Sequence, residues 1–207
     1  MSTTEAPSHS TGPQTAFPPG AHIADPAALG LGAFALTTFV LSVVNAGLVP
    51  KTVEPVVFGL ALTYGGAAQF AAGMWEFAKG NTFGATAFTS YGAFWISFWW
   101  LTGHTDLTKA GTDVGKGIGL YLLAWGIFTL YMTIAALRTN MAILVVFVLL
   151  TITFFLLAIG DFTGTSFWAK TGGWFGIATA AAAWYASLAT VANFTHKKTM
   201  FPVGPRA

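Results

Sequence analysis

Residues 139–160, Thr-Asn-Met-Ala-Ile-Leu-Val-Val-Phe-Val-Leu-Leu-Thr-Ile-Thr-Phe-Phe-Leu-Leu-Ala-Ile-Gly, run from Arg138 to Asp161 without one charged side chain. A helix rises about 1.5 Å per residue, so about 20 residues cross the roughly 30 Å of hydrocarbon in a bilayer. Within lipid a segment has to satisfy its own backbone, which favours helix. A barrel strand would need only about ten residues of alternating character, and this run is longer and uniformly apolar. Working outward, charged residues bound five more windows of the same kind, residues 26–50, 55–75, 80–105, 117–137 and 171–196. The expectation is an all-α integral membrane protein with six transmembrane helices. The spans fall at approximately 27–49, 55–78, 82–104, 116–137, 140–160 and 171–194, within a membrane domain over 25–194.

Composition agrees. Of 207 residues 55% are hydrophobic and 8% charged, with a mean hydropathy of +0.66. A water-facing surface usually needs about 25% charge. A net charge of +2 is too small and dispersed to suggest a nucleic-acid partner. The chain has no cysteine, which excludes disulfides and thiolate chemistry. Residues 1–24, rich in Ser, Thr, Pro and Gly, lack the basic and apolar regions of a signal peptide and read as a disordered tail. Residues 195–207 form a basic tail with His196, Lys197, Lys198 and Arg206. No His pair has metal-ligand spacing within a span, and no nucleophile stands beside a base. The reading is therefore not an enzyme, with no cofactor and no metal.

Six spans put both termini on one side. Counting Lys and Arg gives five residues on that side, Lys79, Arg138, Lys197, Lys198 and Arg206, against Lys51, Lys109, Lys116 and Lys170 on the other. The dibasic pair after the last span favours cytoplasmic termini in a plasma or inner membrane. Trp75, Trp99, Trp100, Trp168 and Trp174 lie near span ends as an interfacial belt, while Trp95, Trp125 and Trp184 read as packing residues.

These spans are more than lipid anchors. They carry many Gly, Ala, Thr and Ser, with Asn45 and Gln69 at membrane depth. Small residues let helices approach, and polar ones bond across helices or line a cavity. Gly80-Asn81-Thr82-Phe83-Gly84 opens the third span and Gly172-Gly173-Trp174-Phe175-Gly176 the sixth. Both read Gly-x-x-Phe-Gly on spans entering from opposite faces, which suggests a three-plus-three inverted repeat. Glu76, at the end of the second span, reads either as a proton carrier or as an interfacial acid paired with Lys79 at i,i+3.

Asp25-Pro26-Ala27-Ala28-Leu29-Gly30-Leu31 resembles the Asn-Pro-Ala-Pro-Leu-Gly-Leu signature of the acetate uptake transporter family, the succinate–acetate permeases. The resemblance continues through Tyr64-Gly65-Gly66, Gln69, Gly73, Glu76, Gly80 to Gly84, Phe88-Thr89-Ser90-Tyr91-Gly92, Phe94-Trp95, Trp125-Gly126, Phe128-Thr129-Leu130 and Leu157-Ala158-Ile159-Gly160. It covers roughly residues 25 to 200. It implies six helices per protomer, a hexameric ring, membrane lipids around it, and one path per protomer for acetate and related small carboxylates. Family members are described both as proton-coupled carriers and as anion channels. It also implies an apolar constriction at Phe34, Tyr91 and Leu150, with Ala183 tuning selectivity. The entrance signature maps to Asp25, Pro26, Leu29 and Gly30, with Asp25 and Ala28 departing from the family's Asn and second Pro. An added charge at Asp25 repels an anion unless it is protonated or paired.

The chemistry suits a monocarboxylate. At neutral pH such an acid is an anion, and a passage has to replace its water with donors. Thr37, Thr38, Asn45, Gln69, Ser90 and Tyr91 are neutral donors, and no Arg lies inside a span. An Arg would hold the anion more tightly. The alternatives are a channel for another small solute such as ammonium, or a membrane protein for acetate sensing or assembly.

Overall fold

A computed structural model describes residue 20 and residues 22–205. The expected disordered tail therefore lies, apart from residues 20 and 22–24, outside the described residues. Every long element is helical: α1 (Ala27–Asn45), α2 (Val56–Leu62), a π-helical turn (Thr63–Ala68), α3 (Gln69–Lys79), α4 (Thr82–Gly103), α5 (Val114–Ala136), α6 (Met141–Thr163) and α7 (Ser166–His196). Short 3-10 turns at Lys51–Val53 and Thr108–Asp113 join them. The α2, π and α3 segments run on as one rod over Val56–Lys79.

Local chemistry fixes the ends. Asn81 caps α4, its Oδ1 accepting from the Gly84 amide at 3.2 Å, and Asn140 caps α6, its Oδ1 accepting from the Ile143 amide at 2.9 Å. Gly80 ends α3 at φ +81°, a conformation that costs glycine nothing. In the loop after α4, Asp106 accepts from the Thr108 hydroxyl and amide at 2.6 and 3.0 Å. Those bonds hold its carboxyl below the usual carboxylate range.

Among the described residues five helical stretches are long and apolar enough to cross a membrane: Ala27–Asn45, Val56–Lys79, Thr108–Ala136, Met141–Thr163 and Ser166–His196. Helix α4 has 22 residues. Thr82, Thr86, Thr89, Ser90, Ser97 and Thr102 make it more polar.

The main pairings are α1 with α7, α5 with α6, α6 with α7 and α3 with α4. Small residues permit the closest of them. A Cβ on Gly173 would fall on the backbone of Asn45 and Ala46, and one on Gly176 on the Ser42 hydroxyl. Below these glycines α7 buries Thr179, Ala180, Ala183, Ala186 and Ala189. The aromatic core lies where α1, α4, α5 and α6 converge, with Phe34, Tyr91, Phe94, Trp95, Phe147, Leu150 and Phe154 all buried. Trp184, read as a packing residue, lies against Phe39 with ring centroids 5.2 Å apart while staying 37% exposed.

After α7 the chain folds back as a strap. Asn193 holds it by accepting from the Met200 and Phe201 amides at 2.7 and 3.0 Å and donating to the Phe201 carbonyl at 2.9 Å. Tyr185 donates to the Pro202 carbonyl at 2.7 Å. The carbonyls of Val203 and Gly204 then accept from the Ala142 and Met141 amides at 3.1 and 2.8 Å, at the start of α6. The strap so supplies acceptors to amides that a helix leaves bare.

Candidate functional site

Three cavities line up inside the helix bundle. The first, of about 240 Å³, is a mouth whose polar wall carries Asp25, Glu76, Lys79, Asn81, Asn140 and Thr190, with Val203 of the strap beside them. Its apolar floor is Leu31, Ala87, Phe88 and Phe147. These four residues also line a second cavity of about 20 Å³, together with Phe34, Gln69, Tyr91, Val146 and Leu150. Phe34 and Leu150 in turn line a third cavity of about 30 Å³, with Thr38, Ser42, Asn45, Trp95, Thr153 and Leu157. A single water needs about 10–15 Å³ on this measure, so the inner chambers hold one or two waters each. Phe34 and Leu150 form the partition between them.

Helical spacing explains which side chains meet. On α1, Leu31, Phe34, Thr38, Ser42 and Asn45 fall three or four apart and share one face. Tyr91 and Trp95 do so on α4, and Leu150, Thr153, Phe154 and Leu157 on α6. The Phe34 and Tyr91 rings lie 5.8 Å apart at 50°. The structure thus brings Phe34, Tyr91 and Leu150 to one small chamber.

Polar groups stand on both sides of the partition. Gln69 is 0% exposed, and neither its Nε2 nor its Oε1 has a partner among the described residues. Thr38 Oγ1 and Trp95 Nε1 are likewise buried and unpartnered in the third cavity. An unsatisfied buried polar group costs about 1–3 kcal/mol, so these four atoms are the candidate polar groups beside the two inner chambers.

Other expected donors are committed elsewhere. The Tyr91 hydroxyl donates to Thr129 Oγ1 at 3.0 Å, and Thr129 donates to the Trp125 carbonyl at 2.7 Å. Tyr91 therefore offers the chamber its ring and not its proton. Thr37 donates to the Ala33 carbonyl at 2.9 Å and packs against Gly65. Ser90 is half-buried, and neither it nor Ala183, buried in the core, is among the residues lining the three cavities. Asn45 lines the third cavity.

At the mouth, Glu76 is fully buried in the chain, and its pairing is not with Lys79. Its Oε2 accepts from Asn81 Nδ2 at 2.9 Å, and its Oε1 has no partner among the described residues. Lys79 Nζ instead reaches Asp25 Oδ1 at 2.9 Å. The i,i+3 pair is overruled because Lys79 bridges to Asp25 just before α1, while Asn81 folds back over Glu76 as it caps α4. Asp25 is thereby paired, and its Oδ1 also accepts from the Ala27 amide at 3.1 Å. Pro26 lies directly before α1 as its cap residue, Gly30 packs on the Phe88 ring, and Leu29 is 45% exposed on the outer side.

Trp95 and Asn81 are polar wall residues that the sequence did not single out as donors. The i,i+4 step from Tyr91 to Trp95 is the signal that finds the first.

The sequence model of the GPR1/FUN34/yaaH family matches residues 8–205. The chain is 43% identical over 177 residues to Ammonia transport outward protein 2 of Saccharomyces cerevisiae, covering 82% of this chain and 62% of that protein. It spans less than two thirds of the length of such fungal relatives. It is 37% identical over 182 residues to the succinate-acetate/proton symporter SatP of Escherichia coli K12, covering 88% of this chain and 96% of the other. The solved structure of the bacterial acetate channel SatP superimposes with a TM-score of 0.81 at 37% identity, over 88% of this chain and 99% of that one.

Proposed function

The chain belongs to the GPR1/FUN34/yaaH family, and from that premise we propose that it passes small monocarboxylates, chiefly acetate, across a membrane through the path inside each chain. It is a multi-pass membrane protein of transport and not an enzyme. The observation that carries the reading is the set of buried, unpartnered groups of Gln69, Thr38 and Trp95 on either side of the Phe34–Leu150 partition.

The passage works in steps. Asn81, Asn140 and Thr190 offer polar contacts in a mouth wide enough for a hydrated anion, where the Asp25–Lys79 pair cancels the extra charge at Asp25. Beyond the floor, Gln69 Nε2 donates to the carboxylate as its water is shed. A carboxylate in an apolar medium without donors is prohibitively costly. The methyl group faces Phe34, Tyr91 and Leu150. A chamber of about 20 Å³ holds about one water, so acetate crosses only as Phe34 and Leu150 swing aside. Thr38 and Trp95 Nε1 then receive the carboxylate in the third chamber, with Asn45 on its wall. Neutral donors release an anion more readily than an Arg fork would.

Six crossings, with α4 as the third, a three-plus-three inverted repeat, a hexameric ring and cytoplasmic termini complete the proposal. In favour of the sixth crossing, α4 has 22 residues and packs along α3. The close pairs α3–α4 and α6–α7 stand in corresponding places of the two halves. Glu76 is proposed as the proton-linked group, supported by its burial at the mouth with one oxygen unpartnered.

Proteoliposomes loaded with the full chain and assayed for labelled acetate, with and without an imposed pH gradient, test the reading. Uptake that follows the gradient beyond that of protein-free vesicles, into which neutral acetic acid leaks down the same gradient, establishes proton coupling. Uptake indifferent to it establishes a channel. Absence of uptake removes the proposal and favours a role in sensing or assembly. A second reading, ammonium passage, is favoured by the Glu76 carboxylate at the mouth and by the yeast relative's name. Labelled methylammonium in the same vesicles separates the two.

A further inference from the structure

The rod formed by α2 and α3 is wound unevenly, and the unevenness sits directly before Gln69. Over Thr63–Ala68 the chain is a π-helix, and the Gln69 amide reaches back to the Tyr64 carbonyl five residues earlier. Such a turn takes up one residue more than an α turn, and it is found frequently at functional sites. The consequence is rotational. Val57 and Ala61, before the turn, are 0% exposed, and so are Gln69 and Glu76 after it. An α-helix advances about 100° per residue. Continued without interruption from Val57, it would carry Gln69 about 120° and Glu76 about 100° away from the Val57 direction. With one residue taken up by the wide turn, the offsets become about 20° and about 0°.

We infer that the wide turn at Thr63–Ala68, with Gly65 and Gly66 as its positioning residues, sets the rotational register that aims Gln69 and Glu76 into the path. A Cβ on Gly65 would lie 2.5 Å from Thr37 Oγ1. One on Gly66 would collide with the Ala61 carbonyl oxygen and lie 2.7 Å from Ile96 Cγ1. The turn as wound has no room for a side chain at either position. The extra residue has somewhere to go because Ala67 is on the exposed side of the rod. Losing the turn while keeping every residue would swing Gln69 and Glu76 toward the side now held by outward residues such as Phe70 and Phe77, 37% and 55% exposed. Neither Gly65 nor Gly66 touches the substrate. They act through Gln69 and Glu76.

The absence of cysteine allows a direct test in the full-length chain. Single-thiol variants Glu76→Cys and Phe77→Cys are reconstituted in vesicles and exposed to a charged methanethiosulfonate reagent. Glu76→Cys, shorter than Glu76 and on the wall of the water-filled mouth, reacts at least about tenfold faster than Phe77→Cys on the outward, lipid-side face, because the reactive thiolate forms only where water reaches it. Adding Gly66→Ala abolishes that difference. Adding a deletion of Ala67 to Gly66→Ala removes the surplus residue, gives a straight α-helix in the original register, and restores the difference. Deleting Ala67 alone leaves the labelling as in the parent. Acetate flux in the cysteine-free chain follows the same order. It falls by about tenfold in Gly66→Ala, the factor for losing one hydrogen bond to a charged group, and returns when Ala67 is also removed. The inference is overturned if Gly66→Ala leaves the Glu76→Cys labelling unchanged. It is equally overturned if the added deletion fails to restore labelling, which would make Gly66 a packing residue, or if the deletion alone abolishes it. The flux arm rests on the transport reading and the labelling arm does not. Labelling that follows the register in a chain that passes no acetate would sustain the inference and remove the proposed substrate.

Discussion

Replacing Gln69 by Leu separates conduction from stability, because the two effects have opposite signs. Gln69 is completely buried, and both polar atoms of its amide lack a partner among the described residues. No protein hydrogen bond is therefore lost on substitution. An unsatisfied buried group costs about 1–3 kcal/mol, so an apolar side chain of similar size relieves a penalty of that order. An equilibrium unfolding measurement in detergent or mixed micelles then shows Gln69→Leu stabilised by about 1–3 kcal/mol. The passing carboxylate, however, loses its donor. A hydrogen bond to a charged group is worth about 1.5–3 kcal/mol, which raises the barrier enough to slow flux by about 10- to 150-fold. Initial rates of labelled acetate uptake at equal reconstituted protein measure this. A variant that transports within twofold of the parent refutes the donor role. A variant that is both slower and less stable refutes the reasoning differently, since it means that Gln69 holds a structural partner.

Leu150→Ala removes half of the partition between the inner chambers, and the variant accepts longer monocarboxylates that the parent excludes. The accompanying loss of stability is about 2–5 kcal/mol, and an unaltered substrate range in competition uptake takes Leu150 out of the neck. Tyr91→Phe deletes a hydroxyl already committed to Thr129, so it costs about 1 kcal/mol of stability while acetate uptake stays within about twofold. A loss of transport with an intact fold would show that the hydroxyl meets the substrate. Glu76→Gln flattens the dependence of uptake on external pH that remains after correction for the substrate's own titration, which lies near the ordinary carboxylic range of about 4. A profile identical to the parent's removes the proton-linked role.

The helical class was legible because lipid forbids charge, and the windows around Met141 to Ile159 or Leu29 to Leu48 show it without any periodicity. The inward faces were much harder to read. In water an amphipathic stripe marks the buried side, but in lipid the outer face is as apolar as the inner one. Phe34 and Leu150 looked no different from Phe39 or Val148, and only the resemblance singled them out. The donors that turn inward could not be told from those bonded locally. Thr37 returns its proton to its own helix at Ala33 while Thr38, one residue on, keeps its oxygen unpartnered in the third cavity. Tyr91 was read as a donor, yet a contact across to Thr129 on α5, 38 positions away, uses its hydroxyl. The Asp25–Lys79 pair was equally hidden, because it joins the segment before α1 to the end of α3 and no local spacing rule reaches that far. The wide turn before Gln69 left only two adjacent glycines as its trace.

The returning strap has a practical corollary for anyone shortening or tagging this chain. Cutting after Lys198 would deprive the Met141 and Ala142 amides of the carbonyls of Gly204 and Val203, and would strip Val203 from the rim of the mouth. Residues 200–205 are thus part of the vestibule's masonry, and a fusion partner joined closely behind Pro205 would crowd the doorway it was meant to report on.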